Sequence, residues 1–260
     1  MNVESRNKNN EYLLKTLDEI DNNKLINSSL SNSKIEVINK SKVIKPNKKY
    51  NTKISFTHSD VVSTILDNRK KKLCALVFSS SLFNNRLGIY DTQEDSILRV
   101  STLYKLINTS YCLENFYSAN KNLVNINSTN RCVYLSNIFF FKNGKDDIIL
   151  GKNNNAYSNL ILSCPPSFNN GDFSNDIQYN VIYCKLKNVF NIAVEKEEEV
   201  LILGAYGCGK ANNSPSLVAK AFKRLLNEYN GYFKEIIFSI KSKNELDMNY
   251  FTFKNTILCN

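Results

Sequence analysis

Apolar residues recur along this chain with two spacings, one helical and one strand-like, and the alternation between them sets out its elements. Residues 9–20 (NNEYLLKTLDEI) put Leu13, Leu14, Leu17 and Ile20 on one helical face. Residues 21–53 are polar, rich in Asn, Ser and Lys, and predict a long, poorly ordered connection. Residues 59–70 (SDVVSTILDNRK) predict a helix capped by Ser59-Asp60. Residues 73–78 (LCALVF) are a short apolar run, the mark of a parallel strand buried on both faces. Residues 79–90 predict a loop, and residues 91–107 (DTQEDSILRVSTLYKLI) a second capped helix. Residues 131–141 and 159–163 are strand-like, and residues 176–194 form an amphipathic helical pattern. Residues 200–203 (VLIL) predict a strand, residues 215–229 a helix opened by Pro215, and residues 234–240 a strand. Residues 244–258 predict a closing helix. Strands alternating with helices predict an α/β sandwich with a mixed, mostly parallel sheet. The expected division is an N-terminal helix and polar connection over residues 1–53, followed by one domain over residues 54–260.

Composition narrows the chemistry. No apolar run reaches the length of a membrane span, and the first ten residues are polar, so an intracellular, cytoplasmic or nuclear, protein is expected. The seven cysteines are widely spaced and mostly sit inside apolar runs, which predicts buried thiols rather than disulfides or metal ligands. The single histidine, His58, precedes a helix cap and reads as a loop residue, so His-based metal and Ser-His-Asp chemistry are set aside. The net charge of +10 raises a polyanionic partner such as nucleic acid. The lysines are dispersed beside asparagines, however, which is the composition of a solvated surface.

Two loops at the carboxyl ends of predicted strands carry the candidate chemistry, where open α/β sheets bind ligands. In the first, Gln93-Glu94-Asp95 sets two consecutive carboxylates at a helix start. Acidic residues there complement the helix dipole, and they also have the chemistry to protonate a glycosidic oxygen. In the second, Gly204-Ala205-Tyr206-Gly207-Cys208-Gly209 holds three of the chain's eight glycines between a strand and a helix. That pattern suits a backbone phosphate cradle. With Lys210 it spells G-x-x-x-x-G-K, but Ala211 stands where a P-loop needs the Ser or Thr that binds magnesium.

These same residues resemble a family. Gln93-Glu94-Asp95 and the residues running to Tyr104 resemble the Gln-Glu-Glu segment of the bacterial-type poly(ADP-ribose) glycohydrolases. The 204–209 loop, with Asn213 and Pro215 behind it, resembles that family's Gly-Ala-Trp-Gly-Cys-Gly loop, and weaker matches follow in order along nearly the whole chain. The resemblance implies a macrodomain-like α/β/α sandwich with ADP-ribose, or the end of poly(ADP-ribose), in a cleft above the sheet. It implies catalytic roles for both carboxylates: Asp95, at the position of the family's catalytic second glutamate, as the acid, with Glu94 assisting. It implies ligand contacts from Gln93, Gly204, Ala205, Tyr206, Gly207, Cys208, Gly209, Lys210 and Asn213, with neither metal nor cofactor. Three positions depart from the family pattern. Residues 82–85 (LFNN) replace its Pro-Gly-Gly-Gly loop, Asp95 is one methylene shorter than the family's second glutamate, and Lys210-Ala211 replaces an aromatic. The alternative to a hydrolase is therefore a module that binds ADP-ribose without turnover, with a P-loop-like nucleotide binder a distant third.

Overall fold

The computed structural model describes residues 3–41, 48–81, 88–123, 126–144, 147–168 and 173–259. It is built on one seven-stranded sheet in the order β1-β4-β5-β3-β6-β7-β2. The strands are β1 (Lys34–Ile38), β2 (Lys53–Thr57), β3 (Leu73–Phe78), β4 (Cys132–Phe140), β5 (Ala156–Ser163), β6 (Val200–Leu203) and β7 (Glu235–Ser239). The pairs β3–β5, β3–β6, β6–β7 and β2–β7 are parallel, while β1–β4 and β4–β5 are antiparallel. The sheet is thus mixed and mostly parallel, as the alternating pattern predicts.

The sheet separates two apolar cores, and the two-residue period of a strand assigns side chains to each. Cys74, Leu76, Leu201 and Leu203 face one core, with α8 (Asn175–Glu195), α9 (Pro215–Glu228) and α10 (Met248–Leu258). Leu73, Ala75, Val77, Val200 and Ile202 face the other. That core is covered by α1 (Val3–Asn22), α3 (Val61–Asp67), α4 (Gln93–Leu98) and α5 (Leu103–Ile107). It also packs α6 (Ser110–Cys112) and a π-helical segment (Leu113–Ser118), which continue into α7 (Ala119–Lys121). Among the described residues no helix is long and apolar enough to cross a membrane.

Two sequence expectations differ from what is observed. The polar stretch at 21–53 carries α2 (Lys24–Leu30), capped by Asn23, and β1. Ile26 of α2 joins Ile20, Phe139 and Phe141 in a small buried cluster. β1 is an edge strand with exposed Lys34 and Glu36, so its polar outer face hid the alternation. β1 and β2 are the two edges of one sheet, so Lys34–Ile38 and Lys53–Thr57 lie in the same layer as the other strands. The predicted helix over 91–107 is two helices, α4 and α5. Between them the chain joins the end of β4: Thr102 N–H donates to Phe139 O at 3.0 Å and Phe141 N–H donates to Val100 O at 3.1 Å. Those tertiary bonds outweigh a helical propensity worth only tenths of a kcal/mol per residue, about 0.7 at most. The closing helix is observed as α10.

Candidate ligand cleft

The carboxyl ends of β3, β5, β6 and β7 converge, and a cleft opens directly beyond them. One compartment, of ≈ 650 Å³, is lined by Phe78–Ser81, Tyr90–Asp95, Cys164-Pro165 and the loop residues Ala205, Gly207, Gly209 and Lys210. A second, of ≈ 520 Å³, continues from it past Phe78, Gln93 and Ala205 towards Asp60, Ile240 and Asn249. Each lies within the size range of small-ligand sites, roughly 300–1,000 Å³.

The carboxylate wall is set by the cap of α4. Thr92 accepts from Asp95 N–H at 3.1 Å and returns its hydroxyl to the Asp95 carboxylate. This reciprocal pair resembles a capping box. The same carboxylate accepts from Gly88 N–H. Arg99 ties the turn from behind, donating to Gly88 O at 2.6 Å and to Tyr90 O at 2.9 Å. Asp95 is 2% exposed, and burial raises its pKa against the opposing pull of these bonds, Arg99 and Lys210.

Glu94, also 2% exposed, is held differently. One oxygen accepts from the Ser79 hydroxyl at 2.6 Å and the Tyr117 hydroxyl at 3.0 Å, the other from Ser80 N–H at 2.8 Å. Burial outweighs these bonds, and its pKa is pushed up to about 7. A carboxylic acid that keeps its proton near neutrality is the usual requirement of a general acid. Ser79, Ser80 and Tyr117 had no signal in the sequence; only the fold brings them to Glu94. The π-helical segment carrying Tyr117 is the local irregularity that often marks such places.

The glycine loop forms the facing wall. Gly207 has φ +74°, and a Cβ there would stand 2.2 Å from Asn213 Nδ2 and 2.8 Å from Pro165 Cβ. Only glycine fits that conformation and that space. Gly204 is needed for packing instead: a Cβ would meet Ser239 O at 2.8 Å. Gly209 faces open space.

The structure places the remaining predicted site residues unevenly. Gln93 lines the cleft, but its side-chain oxygen accepts from Phe78 N–H at 2.8 Å, so it also ties α4 to β3. Ala205 lines both compartments. Lys210 reaches across, its ammonium 4.7 Å from the centre of the Tyr90 ring. Three residues expected at the ligand sit behind the loop. Tyr206 is fully buried; its hydroxyl bonds the Ser163 hydroxyl at 2.7 Å and donates to Cys164 O at 2.8 Å. Cys208 and Asn213 lie outside the lining, Asn213 packed against Gly207. The Tyr206 ring belongs to the apolar core beneath the loop, and Cys208 packs against that core. Residues 82–85, where the glycine-rich departure falls, lie outside the described residues.

The buried Tyr206 hydroxyl has a measurable consequence. Tyr206→Phe leaves Cys164 O and Ser163 short of a partner and is expected to cost about 1–2 kcal/mol of stability, read as a lower urea midpoint at unchanged m-value.

Comparison with known proteins places this geometry in a family. A model of the microbial-type PARG (poly(ADP-ribose) glycohydrolase) catalytic domain matches residues 3–143, more than half of the chain. The crystal structure of PARG from Thermomonospora curvata superposes with a TM-score of 0.82 at 15% identity, covering 98% of this chain and 100% of that one. PARG from Deinococcus radiodurans, solved in complex with ADP-ribose, superposes with a TM-score of 0.74 at 20% identity, covering 89% of this chain and 96% of that one. At these identities the two structures establish a shared fold. No curated protein matches the sequence.

Proposed function

The chain belongs to the microbial-type PARG catalytic-domain family, and from that premise we propose that its cleft binds ADP-ribose and hydrolyses the ribose–ribose bond at the end of poly(ADP-ribose). The observation that carries this reading is the meeting of two walls in one cleft. The Glu94–Asp95 carboxyls stand on one side and the open backbone of Gly207 and Gly209, with Lys210, on the other. Backbone N–H groups and a cation suit a diphosphate. The carboxyl pair at the same end suits the distal ribose. Glu94, in place of the Asp95 expected from the sequence, acts as the acid: it keeps its proton to about pH 7 and passes it to the departing ribose oxygen as the glycosidic bond breaks, Asp95 lies beside the oxocarbenium-like centre, and water adds there to complete the hydrolysis. The compartment beyond Phe78, with apolar Val61 and Ile240 beside Asp60 and Asn249, suits the base-bearing end of the nucleotide.

A second reading, binding without turnover, is favoured by two hydrogen bonds to Asp95. Asp95 spends its carboxylate on Gly88 N–H and the Thr92 hydroxyl, so its oxygens are engaged within the protein. Calorimetry with ADP-ribose followed by incubation with poly(ADP-ribose) separates the readings. Saturable binding together with released ADP-ribose supports hydrolysis. Binding with no release over hours supports the second reading, and absence of heat at millimolar ADP-ribose sinks both.

A further inference from the structure

Helix α8 carries a lysine where its pattern calls for an apolar residue. Lys185 stands beside Leu186 and Val189 on the buried face and is 2% exposed. Its ammonium donates to Ile126 O at 2.9 Å and to Thr129 O. Among the described residues it has no acidic hydrogen-bond or ion-pair partner. A buried cation held by carbonyls alone is costly, and an unbranched apolar side chain would fill the same space without that cost.

What the lysine holds is a turn that shapes the cleft. Residues Ile126–Ser128 form one 3-10 turn leading into β4. Beyond Thr129 the grip is shared: Asn188, one turn along α8, donates to Asn130 O at 2.7 Å. On the other side the turn is bolted to the strand-end segment after β5. Asn127 donates to Ser167 O at 2.8 Å, and Ser167 N–H donates back to the Asn127 side chain at 2.8 Å. Ile126 and Ser167 are both cleft-lining residues, in the compartment that holds Glu94. A chain of direct contacts therefore runs from the Lys185 ammonium to the wall of the cleft.

We propose that Lys185 is a positioning residue of the ligand cleft: charged, it pins the 126–129 turn and the Ile126–Ser167 wall through charge-assisted hydrogen bonds, and as the neutral amine it holds them by weaker ones, so ligand affinity falls in weakly alkaline solution. The proposal rests on the ADP-ribose reading of the cleft. The titratable groups that act on Lys185 are the thiols of Cys132 on β4 and Cys164 after β5; the turn itself offers it carbonyls. Arg131, next in the chain, is directed to Asn39 and Asn120. Burial pushes the lysine down to about 8 and the Cys132 thiol up to about 11, so the lysine titrates first.

The sign of the effect sets it apart from a structural role. A folded pKa below the unfolded value means that the unfolded chain binds the proton more tightly, so stability should rise as pH climbs above about 8. Affinity should move the opposite way. ADP-ribose affinity, measured by calorimetry from about pH 6.5 to about pH 9.5, is expected to fall about tenfold across this limb in the wild type, a typical size for site coupling. Lys185→Met should bind weakly throughout and lack the alkaline limb. Wild-type affinity with the alkaline limb intact in Lys185→Met overturns the proposal. Should that variant fail to fold, Asn127→Ala cuts the bolt to Ser167 outside the core; it is expected to lose both affinity and the alkaline limb, and an unchanged profile overturns the proposal. If the wild type binds no ADP-ribose at any pH, the cleft reading fails on its own. Amide exchange then tests the grip separately, and equal protection of residues 126–130 in wild type and Lys185→Met overturns it.

Discussion

Glu94→Gln and Asp95→Asn are each expected to cut the release of ADP-ribose from poly(ADP-ribose) by about 10²–10⁴-fold, the usual worth of a positioned acid or base, while changing ADP-ribose affinity only a few-fold. The glutamine is tolerated because the hydroxyls of Ser79 and Tyr117 can accept as well as donate, so its amide keeps the hydrogen bonds that the carboxyl makes. The pH behaviour carries a second signature. Folded Glu94 keeps its proton to about 7, whereas the unfolded carboxyl releases it at its ordinary value of 4.5. Unfolding between those values releases a proton, so the contribution of Glu94 to stability is fully present at low pH and is lost as pH rises from 4.5 to about 7. Glu94→Gln removes that slope, which urea titrations at a series of pH values would read. Turnover that depends on the acid form should fall above about pH 7 in the wild type. Equal turnover in wild type and both variants would take the carboxyl pair out of the chemistry.

Gly207→Ala is the second large effect. The left-handed backbone at φ +74° strains an L side chain, and the new methyl would press on Asn213 and on Pro165, whose ring cannot swing aside. Strain and overpacking together are expected to cost about 2–4 kcal/mol of stability. Relief requires the loop to move by about an ångström, which should weaken ADP-ribose binding by roughly 10²-fold, since misplacements of that size are typically this expensive. Gly209→Ala is the control. Its Cβ meets nothing within 4 Å, so stability should stay within about 0.5 kcal/mol. Calorimetry and urea unfolding of the two variants side by side read both effects. Equal behaviour of the two would mean that the loop does not grip the ligand.

Much of this architecture was legible in the sequence because its causes are local. The short LCALVF run read as a buried parallel strand and VLIL as a strand feeding a loop, and the glycines at 204–209 marked a backbone that must turn tightly. Glu94 and Asp95 were legible by position, as carboxylates in the first turn of a capped helix. The rest depended on the fold. Whether Tyr206 faced ligand or core was decided by the Ser163 hydroxyl and Cys164 carbonyl, some forty residues away in the chain. Tyr90 carries no motif, yet it meets Lys210 across the cleft. The raised pKa of Glu94 comes from burial that only tertiary packing creates. The split of α4 from α5 came from hydrogen bonds to β4, and the edge strand β1 was masked by its own charged outer face.

A crystal structure of this protein with ADP-ribose tests the central claim most directly. The account predicts the diphosphate on the backbone N–H groups of the 207–209 segment and the distal ribose within hydrogen-bond distance of the Glu94 or Asp95 carboxyl. ADP-ribose seated elsewhere, or in this cleft with its ribose turned away from both carboxyls, would contradict it.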